Sequence, residues 1–344
     1  MSKDRLDGRT VRDVGANLAA VAPDLGPLPG GGWWFTLANG SPAGVRARLV
    51  DGEWLELATR LKNARLHRPG GGWHLLALNA QLAGAPRVAA TTADGLVLRA
   101  EAAIETDGCN PCESAAHETD LADRVRRLCD AFRTALSRLH NSGAPSGDTG
   151  AAHTPGWPGD ASTASGGGAT QLAALCDSAG WPATEHASGE VVVILETRHA
   201  VYQARLTGGA GESFQALVPF SDVEPTTVVS RAATARLLLR LSGAVRLVKG
   251  VHVRDGEALR PGIAAACAPP RTGADMNRLL SALSVACSLA GREIRTLTDE
   301  GLARAYLALA GSPDDIVEMN VMHQQIESHT QRAHEEEHAC LQSK

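Results

Sequence analysis

The sequence predicts an α+β protein made of two tandem copies of one α-β-β-β-α-β-β-α unit, each an antiparallel sheet with helices packed on it, the two forming a pseudo-dimer. Three observations predict it. The first is an internal repeat. Leu82-Ala-Gly-Ala-Pro-Arg-Val88 returns as Leu241-Ser-Gly-Ala-Val-Arg-Leu247 at an offset of 159. Upstream, Ala47-Arg48-Leu49 returns as Ala204-Arg205-Leu206 at 157; downstream, Asp94-Gly95 with Leu98-Arg99 returns as Asp255-Gly256 with Leu259-Arg260 at 161. A slow drift in offset with order preserved is the mark of duplication followed by small loop changes. The second is that strands come in runs joined by tight turns, which favours antiparallel pairing. The third is a Gly-, Ser- and Pro-rich stretch, 141–169, with no apolar periodicity, which has the composition of a flexible linker.

In the first copy, 9–140, Val11, Val14, Leu18 and Val21 recur at helical spacing. Trp33 to Leu37 reads as a strand. Val45 to Leu49 and Trp54 to Leu61 flank Asp51-Gly52, the strongest short hairpin signal. Trp73 to Leu82 is a short helix stopped by Gly84. Arg87 to Thr92 and Leu96 to Ile104 form a second hairpin about Asp94-Gly95. Thr119 is placed to cap a long helix with Leu121, Val125, Leu128, Phe132 and Leu139 on one stripe.

The second copy, 170–311, repeats this order. Leu172, Leu175, Cys176 and Ala179 form a helix stripe ending at Gly180, followed by Trp181-Pro182. Glu190 to Leu195 is a strand; Val201 to Thr207 and Ser213 to Val218 form a hairpin. Val228 to Leu241 is a helix stopped by Gly243, and Arg246 to Val253 pairs with Ala258 to Cys267 about Asp255-Gly256. Thr272 caps a helix that turns Met276, Leu279, Leu280, Leu283 and Cys287 inward.

Charge narrows the function classes. All of the net −5 sits in residues 313–344, with two basic and seven acidic residues; both bodies are neutral, so neither has the basic bias of a nucleic-acid binder. No stretch has the roughly 20 apolar residues needed to span a bilayer, and Met1-Ser2-Lys3-Asp4-Arg5 is not a signal peptide. Seven scattered cysteines suit reduced thiols, and the chain reads as cytoplasmic.

The element order, the Gly180-Trp181-Pro182 after a first helix and the hairpin spacing resemble the type III secretion chaperone-like family, with its CesT/Tir-type effector chaperones and YbjN-type proteins. In the first copy the corresponding segment reads Pro23-Asp24-Leu25-Gly26. The resemblance implies a non-enzymatic, chaperone-like or scaffolding module that holds a peptide segment of a partner protein. Two fused copies then make an internal pseudo-dimer, and the chain can stand as a monomer. A sheet groove or a sheet edge accepting an extended peptide would do the work. Trp33, Trp34, Trp54 and Trp73 are the candidate partner-binding residues, as large apolar groups. No cofactor, catalytic residue or metal ligand is assigned.

The alternative is a metal-binding protein or metal-dependent enzyme that uses the C-terminal segment, 312–344. His334-Glu335-Glu336-Glu337-His338 fits H-E-x-x-H, in which two histidines one helical turn apart bind zinc. The intervening residues are acidic rather than apolar, however, and six residues remain for a third ligand, so the protease reading is rejected. His323, His329 and Cys340 lie in the same segment. Cys109-Asn110-Pro111-Cys112, with His117 nearby, lacks the second pair of a structural zinc site. Pro29-Gly30-Gly31-Gly32 and Pro69-Gly70-Gly71-Gly72 lack the Lys-Ser/Thr of a phosphate loop and read as turns. The C-terminal segment opens with Ser312-Pro313-Asp314-Asp315, a helix-start signature. Ile316, Met319, His323 and Ile326 then fall on one apolar seam.

Overall fold

Asp51 and Gly52 both take positive φ, 55° and 77°, as the tightest hairpin turns require, and the hairpin they close is the centre of the first sheet. The computed structural model describes residues 8–37, 44–61, 71–91, 95–104, 114–141, 167–208, 214–255 and 258–310. The first unit runs α1 (Gly8–Val21), β1 (Gly26–Pro27), β2 (Trp33–Thr36), β3 (Gly44–Val50), β4 (Trp54–Arg60), α2 (Gly71–Gln81), β5 (Arg87–Thr91), β6 (Gly95–Ala103) and α3 (Ser114–Asn141). The second runs α4 (Gly167–Ser178), β7 (Ala183–Glu185), β8 (Val191–Glu196), β9 (Val201–Thr207), β10 (Gln215–Pro219), α5 (Val228–Ala244), β11 (Val248–Asp255), β12 (Ala258–Ala265), α6 (Gly273–Thr296) and α7 (Glu300–Ala310).

The molecule is α+β, with two antiparallel six-stranded sheets. The first has order β1-β2-β3-β4-β6-β5; the second, taken from β7, has order β7-β8-β9-β10-β12-β11. Every strand of one sheet has a counterpart in the same place in the other. Each unit has one strand more than the sequence reading counts. β1 and β7 are two and three residues long and exist only by pairing with β2 and β8, so they leave no periodic signal. α3 begins at Ser114, five residues before the expected cap at Thr119, because Ala115 and Ala116 are strong helix formers. Thr272 does cap α6, in a capping box with Asp275. α7 is a further helix beyond those that the sequence pattern predicts. α3 closes at Asn141 and α4 opens at Gly167; the linker between them, with Trp157, lies outside the described residues. So do Cys109, Cys112 and the whole 312–344 segment.

The alternation on the strands explains the layering. On β3, Val45 and Ala47 are buried while Arg46 and Arg48 are exposed; on β8, Val191, Val193 and Leu195 are buried against Ile194 and Glu196 outside. α3 packs against β6 and α1, and α6 against β12 and α4, closing the inner face of each sheet. α2 and α5 do something different. Each lies on the edge strand of the other unit, α2 on β11 and α5 on β5, and they touch each other. That exchange is why α2 is apolar all round, with Leu75, Leu76, Ala77, Leu78 and Asn79 buried in succession. One continuous apolar core runs through both units.

The exchange also protects two sheet edges. Asn79, fully buried on α2, accepts from Val88 N (2.6 Å) and donates to the carbonyls of Val88 and Gly250, both at 3.0 Å. It thereby ties β5 to β11 without a strand pair. Ser242 on α5 accepts from Gly250 N at 2.8 Å. The closeness of these layers dictates glycine at Gly243 and Gly250. A Cβ on Gly243 would lie 2.8 Å from Ala90 O, and one on Gly250 2.8 Å from Leu238 O.

Candidate functional site

The seam between the units holds the strongest electrostatics. On the outer face of the first sheet, Glu56 faces Glu101 across β4 and β6, and Arg99 faces Arg87 across β6 and β5. Like charges directly opposite each other are unfavourable. Diagonal pairing resolves this: Arg99 bridges Glu56 and Glu101, Arg87 Nη2 donates to Glu101 Oε2 at 2.8 Å, and Arg48 Nε donates to Glu56 Oε1 at 2.7 Å. Three guanidiniums against two carboxylates leave one positive charge. The C-terminus of α5 faces it: Arg87 Nε donates to Ser242 O (2.7 Å) and Arg99 Nη1 to Gly243 O (2.8 Å). Those carbonyls belong to the last helical turn, which lacks intrahelical donors and carries partial negative charge. Burial pushes the Glu101 carboxyl up, but Arg87 and Arg99 outweigh it and hold it below the ordinary carboxylate range.

The second sheet answers with apolar groups. Arg205, the repeat counterpart of Arg48, stands across from Leu217, which pairs on to Ala264 and so to Lys249. Leu217 and Ala264 therefore hold the places of Glu56 and Glu101. Leu217, Val251 and Val253 form a small buried cluster with Ala80 of α2 against it. Lys249, buried, donates to Leu82 O just past the end of α2. Burial, partly offset by Cys267 and reinforced by Arg87, brings its ammonium down to about 7.

The four tryptophans go to different places. Trp33 packs on the core beneath α1, close to Gly15. Trp34 points to the opposite face of β2 and is 41% exposed. Trp54 lies under the Arg246 guanidinium, 5.6 Å from the ring centroid, and Arg246 also pairs with Asp51 at 2.5 Å across the seam. Trp73 on α2 stacks on His252 of β11 at 4.6 Å. Burial, then the charge of Arg231, lowers His252 to about 4. Its neutral form is thus favoured by folding, and the penalty for protonating it grows as pH falls from about 6.5 to about 4. Over that window His252 is expected to remove about 2–3 kcal/mol of stability. Urea unfolding at pH 7 and pH 4 checks this: His252→Phe, which keeps the stacked ring, should lose less stability between the two pH values than the parent does.

The remaining feature is an open cleft of about 510 Å³ that crosses the seam. Leu237, Arg240 and Leu241 of α5, Leu289 of α6, Tyr306 of α7 and Ala90 of β5 line it. α7 makes the cleft asymmetric. Its inward residues Ala303 and Leu307 pack with Val229, Ala233 and Leu297. Its opposite stripe carries Leu302 (54% exposed) and Leu309 (90%), on the side of Tyr306. One turn before Leu289 on α6, Val285 is 51% exposed, and Leu289 itself is 54%. Two neighbouring helices thus present large apolar side chains outward beside an apolar cleft, a pattern that marks interaction surfaces. A composition scan for aromatic residues misses this surface, because it is built of leucine and valine. A second stripe on the 300–310 segment, Leu302, Tyr306 and Leu309 at helical spacing, was the available signal.

Reactive groups are not gathered in this region. Burial pushes the Cys129 and Cys176 thiols up to about 11, and Cys267 and Cys287 up to about 12, so none of these is a ready thiolate. Among the described residues no group of three His, Cys, Asp or Glu could hold a metal ion, and no helix is long and apolar enough to cross a membrane. The His323–Cys340 cluster lies outside the described residues. No protein-family model matches the chain, and no curated protein matches its sequence.

Proposed function

We propose that the chain is a non-enzymatic protein-binding module, chaperone-like or scaffolding, related in architecture to the type III secretion chaperone-like family. The observation that carries this reading is the outward apolar surface of α6 and α7 beside the seam cleft. The duplicated topology and the reciprocal seating of α2 and α5 support a fused dimer. The mode of capture differs from the sheet-edge mode considered for the sequence. β5 and β11 are covered by helices, and β1 and β7 are too short to template an extended peptide. A groove between helices instead suits an amphipathic helix of the partner, its apolar anchors one turn apart.

Leu289→Asp tests the reading. The side chain is more than half exposed, so the substitution should change stability by no more than about 0.5 kcal/mol. Partner capture and suppression of aggregation of a model unfolded protein should fall at least about tenfold, the loss expected at a central apolar anchor. Equal capture and equal suppression by parent and variant would remove this cleft as the binding surface.

A further inference from the structure

We propose that the partner helix taken by the seam cleft is an acidic one, whose Asp or Glu, one turn from an apolar anchor, is held by Arg240 and Tyr306. This rests on the reading of the cleft as a partner-binding surface and adds the chemistry of the partner. Three observations select an acidic helix over a neutral or basic one.

The first is charge. Leu237, Leu241 and Leu289 supply apolar contact, and Arg240 is the one charged residue among those that line the cleft. Leu237 and Leu241 lie one turn apart on α5 with Arg240 between them, and α5 carries Arg231, Arg236 and Arg240 but no Asp or Glu. The neighbouring helices add no net charge there. The turn after Leu289 on α6 holds both Arg292 and Glu293, and on α7 Arg304 pairs with Glu300 at 2.9 Å. A cation at the rim of an apolar groove favours a partner of opposite charge and works against a like one.

The second is the pairing of Arg240 with Tyr306. Burial pushes the Tyr306 phenol up, while Arg240, which also hydrogen-bonds it, and then Arg236 oppose that rise. A guanidinium only donates, so the phenol oxygen accepts from Arg240 and keeps its own O–H to donate. The two side chains thus offer N–H and O–H donors together with positive charge. A carboxylate, which only accepts, answers all of these; an amide lacks the charge, and an ammonium has no acceptor. The third is that the fold does not require this cation. At the offset of 159 that joins Leu82 to Leu241, Arg240 corresponds to Gln81 and Arg236 to Ala77, and α2 holds no Arg, Lys, Asp or Glu. Both helices seat on the edge strand of the other unit, yet the charged one is the one that packs against α7.

Three synthetic peptides test this on the full chain. Each is an amphipathic helix with leucines at i, i+4 and i+7, and they differ only in carrying Glu, Gln or Lys at i+3, on the same face. Fluorescence anisotropy of the labelled peptides reads their affinities. At about 0.05 M salt the Glu peptide should bind the parent roughly tenfold more tightly than the Lys peptide, with the Gln peptide between them, and the spread should narrow at about 0.5 M salt. Arg240→Gln, which places the first copy's residue there, should bring the three affinities within about twofold of one another, and Arg240→Glu should reverse their order. Tyr306→Phe should weaken the Glu peptide by about threefold relative to the Gln peptide. Equal affinity of the parent for all three peptides, each lost in Leu289→Asp, would overturn the acidic preference and leave the binding surface standing. A preference for Glu that survives Arg240→Gln would also overturn it. Failure of the parent to bind any of the peptides would overturn it together with the reading of the cleft on which it rests.

Discussion

Replacing Arg87 with alanine is expected to cost about 3–5 kcal/mol of stability, the usual result of removing one member of a buried ion pair. Arg87 has no exposure, and its guanidinium meets Glu101 of its own unit and the Ser242 carbonyl of the other. The truncation leaves Glu101 with Arg99 as its remaining salt-bridge partner and removes the side-chain donor from a buried last-turn carbonyl of α5. Part of the cost falls on the seam itself, so the variant should bind an apolar dye before its main unfolding transition. Arg87→Lys keeps the charge but cannot reach both partners as a planar fork, and should recover less than half of the loss. Urea unfolding with intrinsic fluorescence measures all three proteins. A cost below about 1 kcal/mol for Arg87→Ala would mean that α5 does not seal this face of the first sheet.

These same residues show where a sequence stops being legible. The hairpin at Asp51-Gly52 and the capping box at Thr272 are local: a turn or cap is specified by the residues that make it. The fold class and the duplication follow from such local signals taken in order. Arg87, Arg99, Glu56 and Glu101 also alternate with apolar neighbours, and alternation puts them on a solvent face. They are buried or nearly so because a helix some 140 to 155 residues later in the chain lies over them. No window of sequence contains both parts of that contact. β1 and β7 fail for a related reason, since two or three residues become a strand only by pairing. Trp33, Trp34, Trp54 and Trp73 stand out in the sequence by size alone. Size does not distinguish a ring packed under a helix, as Trp33 is, from one stacked at a seam, as Trp73 is. The leucine and valine surface of α6 and α7 was hidden because each of its residues is an ordinary helix former. What singles it out is the second stripe on helices whose first stripe is already buried.

Replacing Lys249 with methionine is the opposite case and is expected to stabilise the protein. The two edge strands treat their cations unequally. Arg87 has Glu101; Lys249 stands across from Ala264, which offers no carboxylate, and donates to the Leu82 carbonyl. With its ammonium brought down to about 7 from an ordinary 10.5, the folded chain releases a proton that the unfolded chain keeps between those two values. Stability must therefore rise with pH across that window, and the full penalty applies below about 7. Methionine fills a similar volume and forgoes one hydrogen bond to Leu82 O, so the net gain at pH 6 is expected to be about 2–4 kcal/mol. That gain should shrink steadily above pH 7 and approach zero or turn slightly negative by about pH 10, where only the lost hydrogen bond remains. Ala264→Glu approaches the same defect from the other side: it sets a carboxylate across from the lysine, should raise the Lys249 pKa and should flatten the alkaline rise without removing the lysine. Urea midpoints at pH 6, 8 and 10 for the parent and both variants separate these effects. A gain for Lys249→Met that does not change with pH would show that the lysine is not a buried, deprotonating group, and with it that α2 does not seal β11.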